Sequence, residues 1–115
     1  MSRIPACFFA THSGREPVRE WLLELDADDR KRVGIGIAYV QAKWPLGKPR
    51  VDQLRGGIWE VRVALPGRVA RVLFAIDDDE MILLHGFVKK SRRTDGADIA
   101  LALRRWKEWK DAKGE

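Results

Sequence analysis

Residues 58–89 decide the fold, and they read IWEVRVAL, PG, RVARVLFAI, DDDE and MILLHGFVK in turn. The three longer segments, Ile58–Leu65, Arg68–Ile76 and Met81–Lys89, are rich in the β-branched and aromatic residues that favour strands. Pro66-Gly67 and the acidic run Asp77–Glu80 separate them and are typical of turns. The stretch therefore predicts an antiparallel meander of three strands.

Apolar residues at helical spacing predict two helices before the meander and one after it. Their inward stripes are Val18, Trp21, Leu22 and Leu25; Val33, Ile37, Val40 and Trp44; and Ile99, Leu103 and Trp106. Residues 33–40 taken alone would also fit a strand, because Gly34 and Gly36 weaken a helix.

The ends of these helices carry capping residues. Ser13 and Glu16 have the spacing of a capping box, and Asp26 or Asp28 can begin the second helix. Asp95 can begin the last one. With the short apolar run Ala6–Ala10 as a first strand, the element order is β-α-α-β-β-β-α. That order predicts an α+β protein with an antiparallel sheet packed against helices.

Composition indicates a globular chain with an anionic partner. The 115 residues, 45% hydrophobic and 34% charged, predict one domain over residues 1–115. The net charge of +5 is typical of nucleic-acid binding, although a solubilising surface would give the same value. Cys7 is the single cysteine, no signal peptide is visible, and no apolar run approaches the ~20 residues of a membrane span. We expect a cytoplasmic protein without a membrane partner.

The first hairpin places two arginines together. If the Pro66-Gly67 turn closes with Leu65 opposite Arg68, then Arg62 lies directly opposite Arg71 on one face of the sheet. The opposite face is apolar and should pack on helices; it carries Trp59, Val61, Val63, Ala70, Val72 and Phe74.

The same register, continued through the acidic turn, pairs Ile76 with Met81. It then puts Gly86 opposite Arg71, with open space beside the guanidinium, and Lys90 on the arginine face. His85 falls on the packed face, where a structural histidine is the favoured interpretation over a catalytic base. A β-bulge would shift these positions by one residue.

Two interpretations of the opposed arginines stay open. Glu60 lies on the same face and could be a structural counter-charge for one of them in a salt-bridge cluster. Alternatively the arginines bind phosphate, because a planar guanidinium matches phosphate oxygens. The two histidines and Cys7 lack the spacing of a metal site, and no phosphate-binding glycine loop is present, so we predict no metal and no cofactor. Trp109 is the tryptophan expected to be partly exposed, toward RNA or a partner.

Several ordered motifs between residues 53 and 110 resemble those of phage-derived HigB-like toxins in the RelE/ParE superfamily. Residues 53–62, QLRGGIWEVR, are similar to that family's L-[RK]-G-G-[LI]-W-E-[LV]-R segment. Residues 68–74 resemble its R-[IV]-x-R-[VI]-[LF]-[YF] strand, and residues 83–90 its L-L-H-G-F-x-K-K strand. Residues 99–109 are similar to its closing helix.

The resemblance implies a RelE-like fold and the toxin of a type II toxin-antitoxin system. Such toxins cut mRNA on the ribosome without a metal, through attack of the RNA 2′-hydroxyl on the adjacent phosphate. They are silenced by a HigA-like helix-turn-helix antitoxin. Arg62, Arg71, Lys89 and Lys90 carry over as candidate catalytic residues, Arg71 to stabilise the phosphate and a lysine crowded by arginines to act as the base.

Two departures and two alternatives accompany the resemblance. Ala70 stands where relatives often have an aromatic residue, which leaves stacking of a base unsupported, and Ser91-Arg-Arg93 adds positive charge.

A ParE-like inhibitor of DNA gyrase would share the fold without RNase activity. A non-enzymatic module that binds nucleic acid or a partner is the other alternative. The cluster of two arginines and a lysine favours the RNase.

Overall fold

The computed structural model describes residues 3–89 and 93–114. Within them the chain forms three helices and five strands, which confirms the α+β class. The elements in chain order are β1 (Ala6–Phe8), α1 (Pro17–Glu24), α2 (Ala27–Lys43), β2 (Val51–Gln53), β3 (Trp59–Leu65), β4 (Arg68–Asp77), β5 (Glu80–Lys89) and α3 (Gly96–Ala112). Residues 33–40 are helical, so the alternative of a strand there is excluded.

The five strands form one sheet in the order β1-β5-β4-β3-β2. The meander β3-β4-β5 is antiparallel as predicted, but β1 runs parallel to β5, so the expectation of an antiparallel sheet is wrong and the sheet is mixed. Strand β1 is followed by two helices rather than a tight turn, so no hairpin fixes its direction. The predicted element order also lacks β2, which has three residues, too few to show an alternating pattern.

The first hairpin has the predicted register. Leu65 pairs with Arg68 across the Pro66-Gly67 turn, and Arg62 therefore pairs with Arg71. Gly67 has a φ of +69°, a conformation that L side chains rarely adopt and that a proline-glycine turn requires at its second central position. The turn residues thus fix which side chains of β3 and β4 share a face.

The second hairpin begins as predicted, with Ile76 opposite Met81, and then shifts at a β-bulge between Leu73 and Phe74. Beyond the bulge, Arg71 lies opposite Phe87, and Gly86 lies opposite Val72. The predicted placements of Gly86 beside Arg71 and of His85 on the face of Val72 are therefore wrong. Lys90 lies outside the described residues.

Gly86 instead makes room for a tryptophan of α1. A Cβ built on Gly86 would lie 2.3 Å from Cε3 of Trp21, so a side chain at this position would clash with the indole. The contact helps to hold α1 against β5.

Helices cover both faces of the sheet. The predicted apolar face packs against α1 and α2, so that Val61, Val72 and Phe74 of the sheet share one buried core with Val18 of α1 and with Val33, Ile37 and Val40 of α2. Helix α3 covers the other face over Phe9, Ile58, Leu73, Ala75, Ile82 and Leu84. No helix in the described ranges is long and apolar enough to cross a bilayer.

Of the three predicted helix caps, the one at Asp26 is present. Asp26 caps α2, with its carboxylate accepting from the backbone N–H of Asp29 at 2.8 Å. Asp95 occupies the predicted position before α3, although its side chain does not cap the helix. The predicted capping box is wrong, because α1 starts at Pro17 and the Ser13 hydroxyl bonds Thr11.

Candidate functional site

Glu60 is the centre of a polar cluster on the face of the sheet that α3 covers. Its Oε1 accepts from Nε of Arg62 and from Nη1 of Arg71, each at 2.9 Å. Its Oε2 accepts from the hydroxyl of Thr94, just before α3. One carboxylate therefore joins β3, β4 and the segment that leads into α3.

Most of this cluster is buried. Glu60 is 0% exposed and Arg71 is 2% exposed. Burying either charge alone would be costly, but paired and hydrogen-bonded charges can be accommodated inside a protein. The interpretation of Glu60 as a counter-charge is confirmed, and Glu60 bonds both arginines where one was expected. Direct contact of Arg71 with a phosphate stays a prediction, and it would require the chain around Thr94 to move.

Arg62 is the arginine of this pair that solvent reaches. Its side chain is 32% exposed, and its Nη2 also donates to Asp52 of β2 at 3.0 Å. Two carboxylates, Asp52 of β2 and Glu60 of β3, thus hold the guanidinium in place. A fixed cation at the edge of a buried cluster is suited to bind an anionic group from solution.

Lys89 approaches the same face from β5, since the bulge places it opposite Val69, two residues from Arg71. Its ammonium pairs with Asp95 and lies 3.4 Å from Asp98 on the first turn of α3. These carboxylates, Asp95 foremost, raise the pKa of Lys89 above its ordinary value. The expectation that a lysine here ionises less readily because of nearby arginines is therefore wrong for Lys89, which is held as a cation.

His85 is the functional candidate that sequence reasoning undervalued. Its Nε2 lies 2.8 Å from Oδ1 of Asp98, and its ring stacks on Phe87 with centroids 5.1 Å apart. Burial lowers the pKa of His85 below its ordinary value, although Asp98 opposes that shift. A neutral imidazole that donates Nε2–H to a carboxylate keeps a lone pair on Nδ1 and can accept a proton there.

The bulge explains why the sequence misplaced His85. An unbroken register would put it on the face of Val72, whereas in the structure it pairs with Leu73 and lies beneath α3. The residues Leu84-His85-Gly86 do not by themselves indicate a bulge. It could have been predicted only from the contact between Gly86 and Trp21, which requires Gly86 to lie on the face that α1 covers.

Three of the four predicted site residues, Arg62, Arg71 and Lys89, thus share the face beneath the start of α3, and Lys90 lies outside the described residues. Trp109 is engaged within the chain, since its indole N–H donates to Asp77 at 2.7 Å. Among residues 3–89 and 93–114, no group of three or more histidine, cysteine, aspartate or glutamate side chains is arranged to hold a metal ion.

Comparison with known protein families gives one match that covers most of the chain. The model of the family described as "Phage derived protein Gp49-like (DUF891)" matches residues 20–107. The match covers both hairpins and most of α3, so the chain belongs to the phage-derived Gp49-like family, which is a RelE/toxin-like family. No curated protein matches the chain significantly.

Proposed function

We propose that the protein is the toxin of a type II toxin-antitoxin system and a ribosome-dependent mRNA endoribonuclease of the HigB type. The observation that carries the proposal is the convergence of Arg62, Arg71 and Lys89 on one face of the sheet, next to a neutral histidine. Membership of a RelE/toxin-like family supports it. Cations and a proton acceptor are the groups that metal-free phosphodiester cleavage requires.

In the proposed reaction, the 2′-hydroxyl oxygen attacks the adjacent phosphorus while His85 takes its proton. The bond from phosphorus to the 5′-oxygen breaks, and Lys89 delivers a proton to that leaving oxygen. The products are a 2′,3′-cyclic phosphate and a 5′-hydroxyl end. This division suits the two side chains, because burial keeps His85 neutral and Asp95 keeps Lys89 protonated.

The two arginines have different tasks in this scheme. Arg62 is partly exposed and stabilises the negative charge that builds on the phosphate. Arg71 is buried and holds Glu60, which in turn fixes the guanidinium of Arg62. Lys90 is retained as a candidate from the resemblance alone.

One observation favours the non-enzymatic alternative. Arg62, Arg71 and Lys89 each have a carboxylate partner already, as they would in a purely structural salt-bridge cluster. On the proposed function, phosphate competes with Asp52 for Arg62 and with Asp95 for Lys89. Two factors would favour replacement of these carboxylates by phosphate. The ribosome would position the mRNA, and a basic surface of the protein would dock on ribosomal RNA.

The proposed partners are the ribosome with its mRNA in the cytoplasm and a HigA-like helix-turn-helix antitoxin. Induced expression in bacteria tests the proposal. We expect growth arrest, an immediate fall in incorporation of labelled methionine, and recovery when the adjacent helix-turn-helix gene is co-expressed. Arrested DNA synthesis with continuing translation would instead indicate a gyrase inhibitor. Normal growth at a high level of folded protein would contradict the proposal.

A further inference from the structure

Leu84 is the extra residue of the β-bulge in β5. Leu83 pairs with Phe74 and His85 pairs with Leu73, so Leu84 between them has no partner residue on β4. The register between β1 and β5 also stops at Leu83. Leu84 is nevertheless completely buried. Because a bulge disrupts the hydrogen-bond ladder locally and a buried carbonyl needs a donor, this position calls for a donor from outside the sheet.

Arg105 of α3 is that donor. Its Nη1 donates to the carbonyl oxygen of Leu84 at 2.8 Å. In the described part of the chain this carbonyl, rather than a carboxylate, is the direct partner of Arg105, although the nearby Glu108 favours its charge. The guanidinium is half-buried, and burial lowers the pKa of Arg105 below its ordinary value. A donor held in this way contributes most where the carbonyl would otherwise be buried without a partner.

The bulge decides which side chains of β5 face α3. Leu84 lies in the core beneath α3, and after the extra residue His85 lies on that same side, with its Nε2 2.8 Å from Asp98. The alternation of the strand then brings Lys89 to that side as well, where it pairs with Asp95. A shift of the register by one residue would turn both side chains toward α1 and α2 instead.

We propose that Arg105 is a positioning residue for His85 and Lys89, because its bond to Leu84 holds the bulge that turns both side chains toward α3. Asp98 and Arg105 are seven residues apart on α3, which puts them on one face of the helix, and they contact consecutive residues of β5. One helix therefore fixes the imidazole with a carboxylate and the adjoining backbone with a guanidinium. The value of this placement for catalysis rests on the proposed function, and the placement itself does not.

Arg105 also acts on His85 through its charge. Burial lowers the pKa of His85, the hydrogen bond to Asp98 raises it, and the positive charge of Arg105 lowers it further. Among the other neighbours of the imidazole, Leu73 opposite it on β4 is apolar, and Lys89 on its own strand is paired with carboxylates of α3. Loss of Arg105 should therefore favour the protonated form of His85.

Three variants of the full chain test the proposal. Arg105→Met keeps the apolar stem of the side chain and removes both the donor and the charge. Arg105→Lys keeps the charge and one donating group but loses the planar fork. Arg104→Met, at the exposed neighbouring position, is the matched control for the loss of one positive charge from α3.

NMR titration of the His85 imidazole is a readout that a purely structural contact of Arg105 would not move. In Arg105→Met the pKa of His85 should rise toward its ordinary value of about 6.5, and the cross-strand contact between Leu73 and His85 should weaken. Arg105→Lys should stay close to wild type, and Arg104→Met should match wild type. Either a wild-type pairing of Leu73 with His85 or a wild-type pKa of His85 in folded Arg105→Met would overturn the proposal.

A measurement on the wild-type chain does not depend on any variant folding. If the carbonyl of Leu84 holds Arg105, rotation of the guanidinium is slow, and its two Nη groups should give separate NMR signals at low temperature. The exposed Arg104 should give one averaged signal. An averaged signal for Arg105 as well would overturn the proposal.

Ribosome cleavage by the same proteins separates this proposal from the proposed function. Arg105→Met should cleave mRNA about 10²-fold more slowly, because a small displacement of a reacting group has a cost of that size. The rise of its rate with pH should move to higher pH together with the pKa of His85, and Arg105→Lys should recover most of the rate. Displacement of His85 in Arg105→Met, with no cleavage even by wild type, would contradict the RNase and leave the positioning role standing.

Discussion

At the scale of single residues, Glu60 explains how two arginines can lie opposite each other across a strand pair. Like charges in that position repel, yet both guanidiniums donate to the same carboxylate oxygen. The register that brings the arginines together could be predicted from Pro66-Gly67, and Glu60 could be named as a counter-charge. Its complete burial could not, because that depends on the position of α3 and Thr94.

Glu60→Gln should therefore destabilise the protein strongly. The substitution preserves the shape of the side chain but leaves the buried Arg71 without its carboxylate, and breaking a buried pair in this way costs about 3–5 kcal/mol. Urea unfolding followed by tryptophan fluorescence measures the change. Glu24→Gln, at an exposed position of α1, is the control and should stay within about 0.5 kcal/mol of wild type. Equal stability of the two variants would mean that the cluster is solvated.

His85 makes stability depend on pH in a direction that can be worked out. Burial lowers the pKa of His85 in the folded chain, so the unfolded chain binds the proton more readily. The contribution is fully present above the ordinary histidine pKa of about 6.5 and is lost as the pH falls below that value. The carboxylates of lowered pKa, Glu20 and Asp29, titrate at more acid pH and do not enter this window.

Unfolding free energies at about pH 7.5 and about pH 5.5 test this dependence. We expect wild type and His12→Asn, whose histidine is exposed, to lose stability on acidification. His85→Asn should show a smaller loss, because the titrating group is gone. A loss of equal size in all three proteins would remove His85 as its source.

At the scale of the elements, some helices and strands can be predicted from local sequence patterns, and other features depend on long-range packing. The turn residues and alternating apolar positions predict β3, β4 and β5, and helical spacing predicts all three helices. The parallel pairing of β1, the short strand β2 and the bulge opposite Leu73 depend on contacts between distant segments. The bulge matters most for the site, since it moves His85 and Gly86 each to the opposite face.

Two glycines of α2 provide a matched test of packing. A Cβ at Gly34 would meet nothing within 4 Å, whereas a Cβ at Gly36 would lie 2.4 Å from Cγ2 of Val63. Gly34→Ala should raise the free energy of unfolding by about 0.5–1 kcal/mol, because alanine favours a helix. Gly36→Ala should lower it by about 1–3 kcal/mol, because the β-branched Val63 cannot easily rotate away.

Thermal and urea unfolding of both alanine variants measure the difference. Both substitutions raise helix propensity alike, so any difference in sign comes from the contact with β3. Stabilisation by both would show that α2 does not pack as closely on Val63 as the structure has it.

At the scale of the whole molecule, the two sides of the sheet have separate roles. The α1 and α2 side is an apolar core, and the α3 side combines a second core with the polar cluster of Glu60, Arg62, Arg71, Lys89 and His85. The net charge of +5 gives the molecule a general attraction for RNA, which salt should weaken. Catalysis would then depend on the few side chains of this cluster, whereas docking on RNA would depend on many basic side chains across the surface.

Single-turnover cleavage of mRNA on purified ribosomes tests this account most directly, with wild type, Arg62→Ala and Arg62→Lys compared in the presence of a chelator. We predict ribosome-dependent cleavage that leaves a 2′,3′-cyclic phosphate, a rate about 10²–10³ lower for Arg62→Ala, and partial recovery for Arg62→Lys. Arg104→Ala on the exposed side of α3 should cleave near the wild-type rate. Absence of cleavage by wild type, or wild-type cleavage by a folded Arg62→Ala protein, would contradict the account.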